Sequence, residues 1–345
     1  MSEIRHDLLE DKYIVIAPER MHRPAYNMAW KKEHNPSSTC PFCEGNESMT
    51  PTEIYAVRDN KSLSDEPGWK CRVIPNLYKA VQIEVPYRSR QEGIYNAWDG
   101  FGAHEIIIDT PDHLNCMVEW KNETFLIWLK TLQNRVKDLR QDERIAFISI
   151  FKNHGPFAGA TQTHPHTQLI GLPVVPRNEI DKYNRMFSHY HNTSRALLSD
   201  IIAQEEHDQV RIITQEGTFT AFCPYASAYP FEVMIAAKDP LGTLDKIDES
   251  HLEDLSRLLK IIFHKLRAQL GNFDFNMSIF VPPMQRQFDT DAFFDCIDEM
   301  SRFNIRIMPR IYRHGGFELS TGMMINPVEP EQSAKLLRDT EYGEL

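Results

Sequence analysis

The segment "THPHTQLIG" (residues 163–171) carries the side chains in this chain that are best suited to catalysis or metal binding. His164 and His166 flank a proline, and Gln168 follows two residues later. In an extended strand alternate side chains point to one face, so this spacing predicts that the two imidazoles and the amide lie together. Such histidines can bind a metal, attack an electrophile or serve as hydrogen-bonded strand residues. The spacing alone leaves these three interpretations open.

A second candidate site is the cysteine pair Cys40 and Cys43 in "CPFCEGNE". Two thiolates at Cys-x-x-Cys spacing can hold one tetrahedral zinc ion, which needs two further ligands. The sequence has no second Cys-x-x-Cys, so histidines or carboxylates must complete the set. His113, in a turn after a predicted strand, and His164 are the candidates. A redox-active or inert pair is the alternative, although the motif does not open a helix after a thioredoxin-like strand.

The histidines are preceded by "NHGPFAGATQT" (residues 153–163), which is rich in glycine and small side chains. Backbone N–H groups in such a segment can approach an anion closely, because no bulky side chain stands in the way. Because this glycine-rich segment precedes them, a functional role for the histidines is as well supported as a structural one.

Two amphipathic helices are predicted, in residues 122–140 and 248–271. Asn122 is the predicted N-cap of the first helix, and Gly271 is the predicted stop of the second. The apolar side chains that recur at helical spacing are Leu129, Leu132, Val136 and Leu139 in the first, and Leu252, Leu255, Leu259, Ile262 and Leu266 in the second.

Each helix stands in the same order of elements: strand, turn with aspartate and proline, helix, strand, strand. This order predicts two copies of one α+β unit, in residues 1–172 and 173–345, because duplication explains a repeated pattern better than chance. A turn followed by a helix is predicted in residues 173–205, at the boundary. The second copy has Asn304 and Arg306 where the first has its histidines. Only the first copy is therefore predicted to be reactive.

The composition excludes several classes of protein. A net charge of −11 over 345 residues argues against a nucleic-acid groove, which needs clustered lysine and arginine. No secretory leader is evident at the start, and no segment approaches the ~20 apolar residues of a membrane helix. Four of the six cysteines stand singly, unlike a disulfide framework. We expect a cytoplasmic protein without nucleic-acid or membrane partners.

Five segments together are typical of one family. In chain order they read "APERMHRPAY", "CPFCEGNE", "VIPNLYKAV", "HEIIIDTPDH" and "HPHTQ". On these segments the chain resembles the galactose-1-phosphate uridylyltransferase family of the histidine-triad superfamily. The resemblance implies an α+β fold of tandem histidine-triad-like units, with antiparallel half-barrel sheets packed by helices.

The resemblance also implies roles for individual residues. His166 is implied as the nucleophile, and Gln168 as a contact to the phosphoryl group. One structural zinc ion is implied at Cys40, Cys43, His113 and His164. The implied substrate-binding residues are Arg20 and Arg23 near the phosphates, Asn76 at the nucleotide, and Asn153, Gly159 and Thr161 around the α-phosphate.

The activity implied by the resemblance is transfer of UMP between UDP-glucose and a hexose 1-phosphate, by ping-pong kinetics through a nucleotidyl-His166, in a homodimer. The segment "FKNHGPFAGA" looks closer to ADP-glucose phosphorylase-like members, and "GGFELSTGMMINPVEPE" resembles both those members and some prokaryotic uridylyltransferases. Adenylyl transfer from ADP-glucose to phosphate is therefore the alternative. Two further hypotheses stay open: a zinc-stabilised nucleotide-binding protein without turnover, and His166 as another zinc ligand.

Overall fold

The computed structural model describes residues 1–22, 40–58, 62–113 and 116–343. Its strands are β1 (Glu3–Asp7), β2 (Lys12–Ile16), β3 (Tyr55–Arg58), β4 (Trp69–Pro75), β5 (Ser89–Glu92), β6 (Tyr95–Trp98), β7 (Ala103–Ile108), β8 (Phe147–His154), β9 (His166–Leu172), β10 (Ile212–Glu216), β11 (Phe219–Phe222), β12 (Val233–Ala237), β13 (Phe275–Ile279), β14 (Asn304–Pro309) and β15 (Met324–Asn326). Its α-helices are α1 (Asn122–Leu139), α2 (Arg177–Thr193), α3 (Leu197–Asp208), α4 (Glu249–Leu270), α5 (Ile297–Met300), α6 (Gly316–Thr321) and α7 (Pro330–Asp339). Within the described ranges, no helix has both the length and the apolar composition needed to cross a membrane.

Ten of the strands in the described residues form one continuous antiparallel sheet, in the order β10-β11-β12-β14-β13-β8-β9-β7-β4-β3. Helices α1 and α4 pack on one face of this sheet and against each other. Phe125 of α1 stacks on Phe263 of α4 with ring centroids 6.3 Å apart, and both side chains belong to the main buried core. The predicted α+β class, with antiparallel strands and packed helices, is confirmed, and the sheet is open rather than closed into a barrel.

The strand order repeats on either side of the central pair, β8 and β13. Outward from β8 come β9, β7, β4 and β3, and outward from β13 come β14, β12, β11 and β10. Along the chain, β7-α1-β8-β9 and β12-α4-β13-β14 follow one another in the same order. The boundary between residues 172 and 173 stays a prediction, because the sheet runs unbroken from one half to the other.

The two predicted amphipathic helices are present, with one correction at an end. The predicted N-cap Asn122 is wrong by one residue, because the carbonyl of Lys121 already accepts the first helical hydrogen bond, from Phe125 N–H. Asp248 caps α4, where its carboxylate accepts from His251 N–H at 2.9 Å. Gly271 follows the last turn of α4 with φ of +68°, a conformation that favours glycine, so the predicted stop is confirmed.

The opposite face of the second half is covered by other segments. Residues 173–205, predicted as a turn followed by one helix, contain α2 and the larger part of α3 instead. Strands β1, β2 and β15 form a small separate sheet. Arg306 of β14 forms an ion pair with Asp7 of β1 at 3.0 Å. Arg306, which takes the place of a histidine of the first half, therefore links the main sheet to the small one.

Candidate active site and metal centre

The structure brings the four predicted metal ligands together. The ligand atoms of Cys40, Cys43, His113 and His164 all lie within 4.8 Å of one another. Nδ1 of His164 lies 3.8 Å from Sγ of Cys40 and 3.6 Å from Sγ of Cys43, and Nδ1 of His113 lies 3.2 Å from the latter sulfur. Sulfur and nitrogen ligands of one tetrahedral zinc ion stand about 3.5 Å apart, given bonds of ~2.3 and ~2.0 Å. The donor set therefore fits a zinc ion.

The orientation of the His164 ring also fits a metal ligand. Its Nε2–H donates to the carbonyl of Thr110 at 2.8 Å, which leaves the lone pair of Nδ1 directed at the two sulfurs. Metal-bound histidines are commonly fixed in this way by a hydrogen bond from the other ring nitrogen. His164 is fully buried, so the ring has little freedom to turn away.

The cysteine pair is shaped by the residues that follow it. Gly45 takes φ of +91°, which turns the chain back, and the side-chain amide of Asn46 donates to the carbonyl of Cys40 at 2.8 Å. The carboxylate of Glu47 accepts from Gly45 N–H at 3.1 Å and from the indole N–H of Trp69 at 2.8 Å. The whole "CPFCEGNE" segment is thus a turn tied to β4, and both sulfurs face the same point.

His166 is the first residue of β9, and its side chain is 6% exposed. Its Nδ1–H donates to the carbonyl of His164 at 2.9 Å, so the neutral ring carries its lone pair on Nε2. Burial lowers the pKa of the imidazole below its ordinary value. His164 itself lies two residues before the strand, so the predicted common strand face applies to His166 and Gln168 only.

Beneath His166, on the helix-covered face of the sheet, the backbone is held by a buried ion pair. Lys152 Nζ donates to the carbonyl of His166 at 3.0 Å and pairs with the carboxylate of Asp109. Asp109 N–H donates to the carbonyl of Pro165 at 3.2 Å. Lys152 and Asp109 are 1% and 0% exposed. The imidazole N–H of His166 donates to the carbonyl of His164, so the backbone carbonyls of residues 164, 165 and 166 all accept hydrogen bonds.

Replacing Lys152 with Met is expected to lower the free energy of unfolding by about 3–5 kcal/mol, because Asp109 is left as an uncompensated buried charge. The double variant Lys152→Met with Asp109→Asn removes both charges and should lose less. Urea unfolding followed by circular dichroism measures both. If the double variant is as unstable as the single one, the unpaired Asp109 carboxylate is not the cause of the lost stability.

The glycine-rich segment after β8 is held in place by the second half of the chain. The side-chain amide of Asn276, on β13, donates to Oδ1 of Asn153 at 2.8 Å and to the carbonyl of Ala158 at 2.9 Å. The carboxylate of Asp274 accepts from Phe157 N–H at 2.6 Å. The loop that the sequence predicts around the α-phosphate is therefore braced by side chains from beyond residue 173.

Two glycines of this loop offer a matched test. Gly155 has φ of +82° and ψ of 161°, a region essentially restricted to glycine, and an added Cβ would overlap the Asp274 carboxylate. Gly159 has φ of +83° and ψ of 17°, with open space where a Cβ would stand.

Gly155→Ala is accordingly expected to cost about 1–3 kcal/mol in backbone strain plus the crowding of Asp274, whereas Gly159→Ala costs only about 1 kcal/mol. Thermal unfolding of the two variants checks the difference. Equal melting temperatures would show that the loop moves freely away from Asp274.

Gln168 and Asn76 are brought together by a residue that the sequence analysis did not single out, His104 of β7. The Nε2 atom of His104 lies 3.2 Å from Oε1 of Gln168 and 3.0 Å from Nδ2 of Asn76. Asn76 directly follows β4, two strands away from β9 in the sheet. The predicted phosphoryl and nucleotide contacts thus share one polar cluster.

Two further predicted substrate-binding residues lie at the surface. Arg20 is exposed in a short 3₁₀ helix (Pro18–His22), and Thr161 is exposed in the loop before β9. Arg23 lies outside the described residues.

Five residues that shape the site were missed in the sequence: His104, Asp109, Lys152, Asp274 and Asn276. Lys152 did carry a detectable signal, because it continues the alternation of the buried Ile148 and Ile150 along β8. A lysine at a core-facing position needs a buried partner. The pairing of β8 with β13, which delivers Asp274 and Asn276, leaves no such signal in the sequence.

Comparison with known proteins assigns the chain to a family. The model of the N-terminal domain of galactose-1-phosphate uridyl transferase matches residues 1–176. ADP-glucose phosphorylase of Arabidopsis thaliana is 31% identical over 345 residues, which cover 98% of this chain and 92% of that protein. The chain belongs to the galactose-1-phosphate uridyl transferase family of nucleotidyltransferases.

Two further relatives extend the similarity over nearly the whole chain. The galactose-1-phosphate uridylyltransferase of Thermotoga maritima is 24% identical over 353 residues, covering 99% of each chain. A crystal structure of an ADP-glucose phosphorylase from Arabidopsis thaliana with bound ADP-glucose has a TM-score of 0.81 and 27% identity, covering 99% of this chain and 100% of that one. The relatives therefore carry two different named activities.

Proposed function

We propose that this protein transfers a nucleotidyl group from a nucleotide sugar to a phosphate acceptor through a covalent intermediate on His166. The observation that carries the proposal is the ring orientation, since the hydrogen bond from Nδ1–H to the His164 carbonyl leaves the Nε2 lone pair for attack. A neutral imidazole in a fixed orientation is a suitable nucleophile for an activated phosphate.

In the first half-reaction, Nε2 of His166 attacks the phosphorus next to the nucleoside and forms an N–P bond. The P–O bond to the sugar phosphate breaks, and the sugar 1-phosphate leaves with the electron pair. In the second half-reaction, an oxygen of the acceptor phosphate attacks the same phosphorus, and the imidazole is released. Splitting the exchange in two avoids bringing two anionic phosphates together, and catalysis then depends mainly on positioning and charge stabilisation.

The charge on the transferred phosphoryl group needs hydrogen-bond donors around it. We assign this task to the amide of Gln168, on the same strand face as His166, to Asn153 near the end of β8, and to the glycine-rich loop that includes Gly159. Phe151 pairs with Gln168 across β8 and β9, so Asn153, two residues further along, lies on the same face of the sheet as His166. Asn76, beside Gln168, is assigned to the nucleotide.

We assign the Cys40, Cys43, His113 and His164 cluster to one structural zinc ion. When bound, zinc supplies a rigid tetrahedral link between the cysteine turn and the chain leading into β9. His164 supports His166 through its carbonyl, and the rings of Phe42 and His166 pack edge to face with their centroids 5.6 Å apart. The His164 carbonyl and the Phe42 ring, rather than the metal itself, are in contact with the nucleophile.

Two donors are candidates. Transfer of UMP between UDP-glucose and a hexose 1-phosphate is favoured by the match to the uridyl transferase family model. Adenylyl transfer from ADP-glucose to phosphate is favoured by the 31% identity to an ADP-glucose phosphorylase, compared with 24% to the Thermotoga maritima uridylyltransferase. The higher identity makes ADP-glucose the donor to test first.

The test uses UDP-glucose and ADP-glucose, each labelled in the phosphate next to the nucleoside. Protein incubated with each donor is denatured in base, since a phosphorus–imidazole bond is stable there and labile in acid. Labelling by ADP-glucose alone supports the adenylyl reaction, and labelling by UDP-glucose alone supports the uridylyl reaction. Labelling by neither would overturn the proposal and favour a nucleotide-binding protein without turnover.

A further inference from the structure

His104 occupies a place from which it can orient Gln168. On β7 it pairs with Ile170 of β9, so Gln168, two residues along that strand, is its diagonal neighbour on the same face. The adjacent Glu105 points to the other face, where it forms two hydrogen bonds of 2.7 and 2.8 Å with Arg135 of α1. This buried pair fixes the strand, and therefore the position from which the imidazole of His104 projects.

The tautomer of His104 follows from its backbone partner. Ala80 N–H donates to Nδ1 at 3.1 Å, so Nδ1 must be an acceptor, and the proton of the neutral ring lies on Nε2. Oε1 of Gln168, 3.2 Å from Nε2, accepts this proton. The side-chain nitrogen of Asn76 also lies near Nε2, at 3.0 Å, but an amide NH₂ group is a donor and cannot accept this proton. The Asn76 oxygen is held by a hydrogen bond from Tyr78 N–H at 2.9 Å.

We propose that His104 is a positioning residue that fixes the amide of Gln168 with its NH₂ group facing the transferred phosphoryl group. The inference rests on the proposed function, which supplies the phosphoryl oxygen as the acceptor. Because the Gln168 oxygen is held by His104, only the NH₂ end is left for the substrate. A phosphoryl oxygen accepts hydrogen bonds and repels a carbonyl oxygen, so a flipped amide would oppose the reaction instead of assisting it.

The expected effect is on rate rather than on binding. Without the His104 proton, the Gln168 amide can rotate by half a turn, and the preorganised donor is lost. His104→Leu should slow formation of the nucleotidyl adduct at saturating donor by about 10- to 100-fold. His104→Gln, whose amide can both accept from Ala80 N–H and donate to Gln168, should recover part of that rate.

A double-mutant cycle separates positioning from a general structural role. In a Gln168→Ala background, His104→Leu should change the single-turnover rate by less than about twofold, because the group it acts through is already gone. Metal content and melting temperature are measured for each variant. An equal loss of rate in both backgrounds, or no loss in either, would overturn the inference.

A second measurement does not need turnover. In protein labelled with ¹⁵N at histidine and glutamine, the ring nitrogens of His104 should report the Nε2–H tautomer, and the side-chain amide signals of Gln168 should shift in His104→Leu. An Nδ1–H tautomer, or unshifted Gln168 signals, would overturn the inference even if adduct forms. If wild-type protein forms no adduct with either donor, the proposed function fails, while the spectra still decide whether His104 orients Gln168.

Discussion

His166→Asn is expected to abolish the labelled nucleotidyl adduct and to lower turnover by roughly 10³-fold or more, because no other group takes over the bond to phosphorus. The asparagine amide keeps a donor for the His164 carbonyl, so the chain around it should stay in place. The loss would therefore report the missing Nε2 lone pair rather than a rearranged strand. Adduct formation and steady-state turnover with the active donor provide the measurement.

A matched control is His189→Asn, the same chemical change at a histidine that pairs with Asp200 at 2.7 Å on the outer helices. This variant should form the adduct at the wild-type rate. An adduct that persists in His166→Asn, or one that survives acid, would remove His166 from the role of nucleophile.

Replacing Cys40 and Cys43 with serine is expected to reduce bound zinc from one ion per chain to nearly none and to lower the free energy of unfolding by several kcal/mol. A ligand that binds only the folded chain stabilises it by about 4 kcal/mol when present at ~1,000 times its Kd. Without the two sulfur ligands, zinc no longer binds the folded chain and this stabilisation is lost. Elemental analysis gives the metal content, and urea unfolding gives the stability.

The control for the cysteine pair is Cys296→Ser, at a half-buried cysteine near α5 and far along the chain from the cluster. It should keep the full metal content. A chelator should destabilise this control and the wild-type protein but leave the Cys40→Ser, Cys43→Ser variant unchanged. Zinc retained by that double variant would show that the metal is held elsewhere.

The fold was largely predictable where side-chain periodicity is strong. Helices α1 and α4 each bury one long apolar face, so their spacing identifies them in the sequence, and the order of strands around them repeats. The helix start at Asn122 was misplaced because a good capping residue can also stand in the first turn. Helices α2 and α3 were merged in the prediction, since the break between them is made by Ser194, whose φ of +57° the sequence does not reveal.

The site was predictable only where its residues lie close together in one short segment of the sequence. The cysteine turn and His-Pro-His-x-Gln motif are local, so their residues could be assigned roles before the fold was described. His104 meets Gln168 through cross-strand register, and Asp109 meets Lys152 through burial. Register cannot be obtained from one strand in isolation, and the alternation that marks Lys152 as buried does not identify Asp109 as its partner, which is why these partners were missed.

The pairing of β8 with β13 has a consequence for how the two halves of the chain depend on each other. A chain cut after residue 176 keeps the four metal ligands, His166 and Gln168, yet it exposes the edge of β8 along the five residue pairs that β13 normally covers. Such an open edge invites association with other chains. It also loses Asp274 and Asn276, whose hydrogen bonds hold the glycine-rich loop of the first half. A substitution in the second half can therefore disturb the loop beside His166 without touching His166 itself.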